Sequence, residues 1–182
     1  MKLVLDACVL YPPVLRDLLI GVAAAGLFRP VWSDRILEEW ARATVKLGPL
    51  AEAQARGEIA RLKAAFPLAM QAAVPAVEAR LVLPDPNDLH VLAVAVASGA
   101  DAILTFNAVD FPRHVLAAEG LARRDPDGFL WEMWSRHEAA VGAVIAAVHA
   151  RAEEMAGQAV SLKALLKRAQ LPRLAKAVTY VG

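Results

Sequence analysis

The chain holds one cysteine, Cys8, among 182 residues, which rules out an internal disulfide and any cysteine-based zinc site. It also lacks an excess of charge. The formal net charge is +1, so no global field announces a nucleic acid or an anionic membrane. Long hydrophobic runs are missing too, although 58% of the residues are hydrophobic and the mean hydropathy is +0.42. Uncharged stretches such as 18–28 and 89–100 are too short to cross a bilayer, and 64–77 holds two prolines. The four histidines, His90, His114, His137 and His149, are scattered, and none stands at metal-ligand spacing from another. Residues 1–6 have neither the length nor the cleavage site of a signal peptide. Internal repeats and low-complexity linkers are absent. The expectation is a cytoplasmic protein with no membrane part, built as one domain with a core and a possible appendage.

What is present is organised around residues 84–112, PDPNDLHVLAVAVASGADAILTFNAVDFP. Pro84 and Pro86 keep the chain out of helix, and Asn87 or Asp88 can cap the apolar helix 89–97. Ser98-Gly99 ends that helix. Residues 102–106 then read as a strand buried on both faces, and 107–110 leave its C-terminal end, where open α/β sheets place their chemistry.

Earlier in the chain, Lys2–Leu5 reads as a strand ending on Asp6. Pro12-Pro13 opens a helix that Gly26 closes. Val31-Trp32 is a very short strand or a turn, and Ser33 caps a helix over 34–46. On that helix Glu38 and Glu39 point about 100° apart, so at most one can face a common site. A second helix runs over 51–65, a short helical piece lies between Pro67 and Pro75, and 80–83 is expected to be a strand. Residues 121–122 read as a last edge strand. After them the pattern turns helical: Asp125 caps one helix, 141–148 continues, Ser161 caps another through Ala169, and Pro172 interrupts before a short apolar end. The alternation of strands and helices indicates a parallel α/β sheet.

Asp6 and Asp110 should leave a parallel sheet at the same edge, and Asp88 opens a helix running back from it. Carboxylates gathered there repel one another unless a cation neutralises them. Oxygen-only ligands suit a hard ion, Mg²⁺ or Mn²⁺, and such ions suit phosphodiester hydrolysis.

The segments LDACVLYP (5–12), SDRILEEW (33–40), LPDPNDLHVLAVA (83–95) and ILTFNAVDFP (103–112) together resemble the PIN-domain ribonucleases. Most nearly they resemble the VapC-like toxins of toxin–antitoxin pairs, in the branch with a C-terminal helical extension. The resemblance covers roughly residues 1–122. It implies a PIN-like three-layer fold, a central parallel sheet flanked by helices, with a nuclease domain over 1–122 and the extension over 123–182. It implies a Mg²⁺- or Mn²⁺-dependent endoribonuclease that leaves 5′-phosphate and 3′-hydroxyl ends, acts as a homodimer and is held inactive by a small antitoxin. Asp6, Glu39, Asp88 and Asp110 match the four catalytic acids, with Asp6, Asp88 and Asp110 on the metal. Asp85 is an extra carboxylate behind them. Thr105 and Asn107 match positions that orient the acids, and Ser33 could do so besides capping its helix.

Cys8 stands where many relatives carry Asn or Ser, and is expected to be buried and inert. His90 is expected to be turned away from the site by its helix. Trp131 and Trp134 are expected in the core rather than as RNA-stacking groups. Past Glu154 the chain has no acid, and Lys163, Lys167 and Arg168 are candidates to meet RNA or a protein partner. A dehalogenase-like phosphatase would need an aspartate where Cys8 stands, and a receiver domain would need an acidic pair and a late lysine that are missing. A catalytically silent PIN scaffold that binds RNA or protein, or a housekeeping RNA-processing nuclease, remains as the alternative.

Overall fold

Segments of alternating strand and helix pattern need a common sheet on which to bury their apolar faces. In the computed structural model, which describes residues 1–179, the elements run in chain order as follows. β1 (Lys2–Leu5), α1 (Ala7–Leu10), α2 (Pro13–Ala24), β2 (Arg29–Val31), α3 (Asp34–Ala43) and α4 (Pro49–Ala65) come first. Next are α5 (Pro75–Glu78), α6 (Leu89–Ser98), β3 (Ala102–Leu104), α7 (Arg113–Ala118) and β4 (Ala122–Arg124). Last come α8 (Pro126–Arg136), α9 (Glu138–Ala156), α10 (Leu162–Arg168) and α11 (Pro172–Val178).

The four strands form one parallel sheet in the order β2-β1-β3-β4, flanked by helices. Leu3 pairs with Pro30 on one side and Ala102 on the other, and Leu104 pairs with both Leu5 and Arg124. The central strands are apolar throughout because both faces are covered: Leu3, Val4, Leu5, Ala102, Ile103 and Leu104 are all buried. The edges carry the residues an edge tolerates. Pro30, which cannot donate to a ladder, is on β2, and Arg123 and Arg124 are on β4.

The expected strand at 80–83 is not formed. Both neighbours of β1 are already taken, by β2 and β3, and β4 lies beyond β3. Arg80 instead makes a bidentate pair with Glu119, at 2.8 Å on each arm. Leu81 and Leu83 are buried while Val82 is 77% exposed, so the alternation belongs to an extended segment that packs one face and pairs with no strand.

Contacts divide the chain into two compact units. The first holds Met1–Tyr11 and Phe28–Arg124, and contains the whole sheet. In it α6 packs on β1 and β3, α7 on β4, α1 against α3, and α3 against α4. The Ser33 hydroxyl caps α3 by accepting from the Ile36 amide at 3.3 Å. Gly99, at φ 61°, ends α6 in the left-handed region.

The second unit gathers Pro12–Leu27 with the chain from Asp125 onward. There α2 packs on α9, closely enough that a Cβ on Gly21 would stand 2.5 Å from Val144 Cγ1. Helix α8 packs against both α9 and α11. The buried Asp127 carboxylate accepts from the Arg173 and Leu174 amides, at 2.9 and 3.0 Å, and so caps the start of α11. Pro172 therefore opens a helix rather than interrupting one, because proline costs nothing where the amide has no helical partner. Trp131 is not in the core. It is 37% exposed and lies beneath the Arg173 guanidinium, 4.6 Å from the ring centre. No described helix is long and apolar enough to cross a membrane.

Candidate active site

Each acid reaches the C-terminal edge of the sheet by a different local device. Asp6 follows β1 directly, and its amide donates to the Leu104 carbonyl at 3.2 Å, extending the parallel ladder by one step. Asp88 closes the single 3-10 turn Pro86–Asp88 that opens α6. Asp85 fixes that turn by accepting from the Asn87 amide at 2.9 Å. Asp110 lies in the loop after β3, its amide donating to Asn107 Oδ1 at 3.2 Å.

Three of these carboxylates converge. Asp85, Asp88 and Asp110 each present an oxygen within 4.8 Å of the others. Asp6 stands outside that trio, yet its charge is the largest of those raising the Asp88 pKa. Burial first, then the charges of Asp6, Asp85 and Asp110, push the Asp88 carboxyl up to about 6, and His90 acts weakly the other way.

Thr105 and Asn107 knit the acids together. The Thr105 hydroxyl donates to Asp6 Oδ2 at 2.6 Å and accepts from the Asn107 amide at 2.9 Å. The Asn107 side-chain amide donates to Asp88 Oδ2 at 3.0 Å and to Asp110 Oδ2 at 2.8 Å. One neutral donor therefore spans two like charges.

Cys8 is half-buried but not idle. Its thiol donates to Asp6 Oδ2 at 3.2 Å, lies 3.3 Å from Thr105 Oγ1 and accepts from the Phe106 amide at 3.4 Å. Burial, and then the Asp6 charge, push the thiol up to about 12, so it acts as a protonated donor beside the carboxylate.

On α3 the two glutamates part company. Glu38 is taken by Arg42 and Arg56, each at 2.9 Å, and those hydrogen bonds hold its carboxyl down near 2. Glu39 faces the other way. Its Oε1 lies 2.9 Å from His90 Nε2 and 3.4 Å from Arg35 Nε. Arg35 also donates to the Asn87 carbonyl at 3.2 Å, tying α3 to the turn that carries Asp85 and Asp88. His90 is thus not turned away from the acids. Position 90 is one residue into α6, and that first turn points it at α3, a contact between distant segments that spacing alone does not reveal. Ser33 remains a helix cap, and no hydrogen bond from it to an acid is formed among the described residues.

The donor set around Asp88 is all carboxylate oxygen, and burial together with the neighbouring charges raises the Asp88 carboxyl itself. This is the chemistry that a hard divalent cation relieves, so the residues fit such an ion. Asp85, Asp88 and Asp110 are the groups whose oxygens lie close enough together to hold it.

No curated protein and no solved structure matches the chain. A family model described as PIN domain does match, over residues 2–108. The matched span takes in Asp6, Glu39, Asp85, Asp88, Thr105 and Asn107, and ends two residues before Asp110. It covers more than half of the chain, and the chain belongs to the PIN-domain family, whose nuclease-type fold generally serves metal-dependent nucleases.

Proposed function

We propose that this chain is a Mg²⁺- or Mn²⁺-dependent endoribonuclease, the toxin of a toxin–antitoxin pair. The observation that carries the nuclease reading is the convergence of Asp85, Asp88 and Asp110 within 4.8 Å, with Asp6 close enough to raise Asp88 further. The toxin reading rests on the four motifs that resemble VapC-like proteins, and with it come a small antitoxin and a homodimer as partners. The proposed nuclease domain is residues 1–122 and the proposed helical extension is 123–182.

Asp6, Asp88 and Asp110 would hold the ion, with Asp85 near enough to share it. The ion, when bound, activates water and stabilises charge on the attacking and leaving oxygens of a phosphodiester. The protein's own part is positioning. Thr105 and Cys8 fix one oxygen of Asp6, and Asn107 sets Asp88 and Asp110 side by side. Glu39, with its side chain 39% exposed, would complete the acidic set. Lys163, Lys167 and Arg168 are all exposed on α10, and a surface of that charge suits RNA phosphates or an acidic stretch of the antitoxin.

The test is cleavage of end-labelled single-stranded RNA by the purified chain. Cleavage should require Mg²⁺ or Mn²⁺, leave 5′-phosphate and 3′-hydroxyl ends, and disappear in Asp110→Asn and Glu39→Gln while surviving in Glu38→Gln. Metal-independent cleavage, or equal loss in the two glutamate variants, would remove the support for this assignment. RNA binding without cleavage would favour the silent scaffold instead.

A further inference from the structure

His90 has no part in the chemistry just described, yet its placement is unusual. It is 4% exposed. Both ring nitrogens are sealed from solvent, and among the described residues neither has a hydrogen-bond partner. Buried polar groups are nearly always paired, so an imidazole left in this state points to a partner close by. That partner is at hand: Nε2 lies 2.9 Å from Glu39 Oε1, within contact distance although out of line for a hydrogen bond. A small turn of the glutamate side chain, which is 39% exposed and has three soft torsions, brings the carboxylate into line.

The other group on Glu39 is Arg35, at 3.4 Å, with half of its own side chain in water and a second acid, Glu78, at 3.7 Å. An exposed and shared pair of this kind fixes a carboxylate poorly. His90 differs in being buried. It is packed at the start of α6, two residues after Asp88, so whatever it holds is held relative to that acid.

We propose that His90 is a positioning residue: its Nε2–H holds the Glu39 carboxylate at the opening of α6 and so fixes Glu39 relative to Asp88. The proposal rests on the reading that Glu39 belongs to the nuclease site. The contact joins α3 to α6, so that the helix bearing Glu39 and the turn bearing Asp88 move as one.

The test is a double-mutant cycle in thermal stability between His90→Phe and Glu39→Gln, joined to the kinetics of the His90 variants and to ring-nitrogen NMR of the metal-free protein. His90→Phe keeps the volume and removes the donor; it should lower kcat by about 10- to 100-fold with KM little changed. His90→Gln, which keeps an N–H, should recover part of the loss. In stability the two changes should couple: His90→Phe should lower the melting temperature less in the Glu39→Gln background than in the wild type. The Nε2 resonance of His90 should move on Glu39→Gln, a readout that needs neither metal nor an active enzyme and that stands even where His90→Phe fails to fold. An equal drop in melting temperature from His90→Phe in both backgrounds, or an Nε2 signal indifferent to Glu39→Gln, overturns the proposal while leaving the nuclease reading intact. Full activity in Glu39→Gln overturns both the role of Glu39 and the proposal built on it.

Discussion

Burial and the charges of Asp6, Asp85 and Asp110 raise the Asp88 carboxyl from its ordinary 3.8 to about 6. A raised folded-state pKa has a definite sign. The stability it contributes is complete below pH 3.8 and is lost as pH climbs through about 6. The metal-free protein should therefore be strained at neutral pH by an ionised Asp88, and Asp88→Asn should relieve that strain. The Asn107 hydrogen bond can survive the change, since asparagine keeps an acceptor oxygen. Asp88 is partly open to water, which screens the repulsion, so the gain is on the order of 1 kcal/mol. Thermal melts in EDTA check it: the stability of Asp88→Asn relative to wild type should rise between about pH 4 and pH 7. A difference that stays flat over that range would show that the acids do not repel as described. That Asp88 and Asp110 come together was legible in the sequence, because each stands at the end of a local pattern that a strand or a turn dictates. Asp85, expected behind the metal set, stands in the trio instead, and Asp6, expected on the metal, stands outside it. The roles of Cys8 and His90 were not legible. Cys8 reaches Asp6 two residues away, but its contact with Thr105 at 97 residues' distance, like that of His90 with Glu39 on a separate helix, is made only through the fold.

At the scale of elements, the loop that carries Asp110 is braced from β4. Arg123 Nη1 donates to the Ala108 carbonyl at 2.6 Å and to the Phe111 carbonyl at 2.9 Å. Two charge-assisted bonds to backbone acceptors fix both sides of the loop. Arg123→Ala should lower stability by about 1–2 kcal/mol and speed amide exchange at residues 108–111. Unaltered exchange there would mean that Asn107 alone sets the loop. Local devices such as the Ser33 cap, the Gly99 stop and the apolar runs of β1 and β3 could be read in advance, because each depends on neighbours a few residues away. The segment 80–83 misled for the same reason. Its alternation is real, but one-sided burial alone does not make a strand: Leu81 and Leu83 pack inward while the segment joins no ladder. Likewise Pro172 read as an interruption, when a carboxylate much earlier in the chain, Asp127, makes it the start of α11.

For the molecule as a whole, a net charge of +1 leaves RNA affinity to local surfaces. If Lys163, Lys167 and Arg168 meet phosphates, replacing all three with Gln should weaken RNA binding. It should also flatten the dependence of log Kd on log salt by about 2, since each single-strand phosphate left without its cation removes about 0.7 from the slope. Binding measured between roughly 50 and 300 mM salt decides this, and an unchanged slope would assign these side chains to solvent or to a protein partner.

The central claim is that the acidic cluster of Asp85, Asp88 and Asp110, with Asp6 beside it, holds a divalent cation, and calorimetric titration of Mn²⁺ into the metal-free protein tests it most directly. Saturable binding should appear in the wild type, raise the melting temperature, and be lost in Asp88→Asn even though that variant is the more stable without metal. Equal Mn²⁺ binding by the two proteins, or none by the wild type, would contradict it.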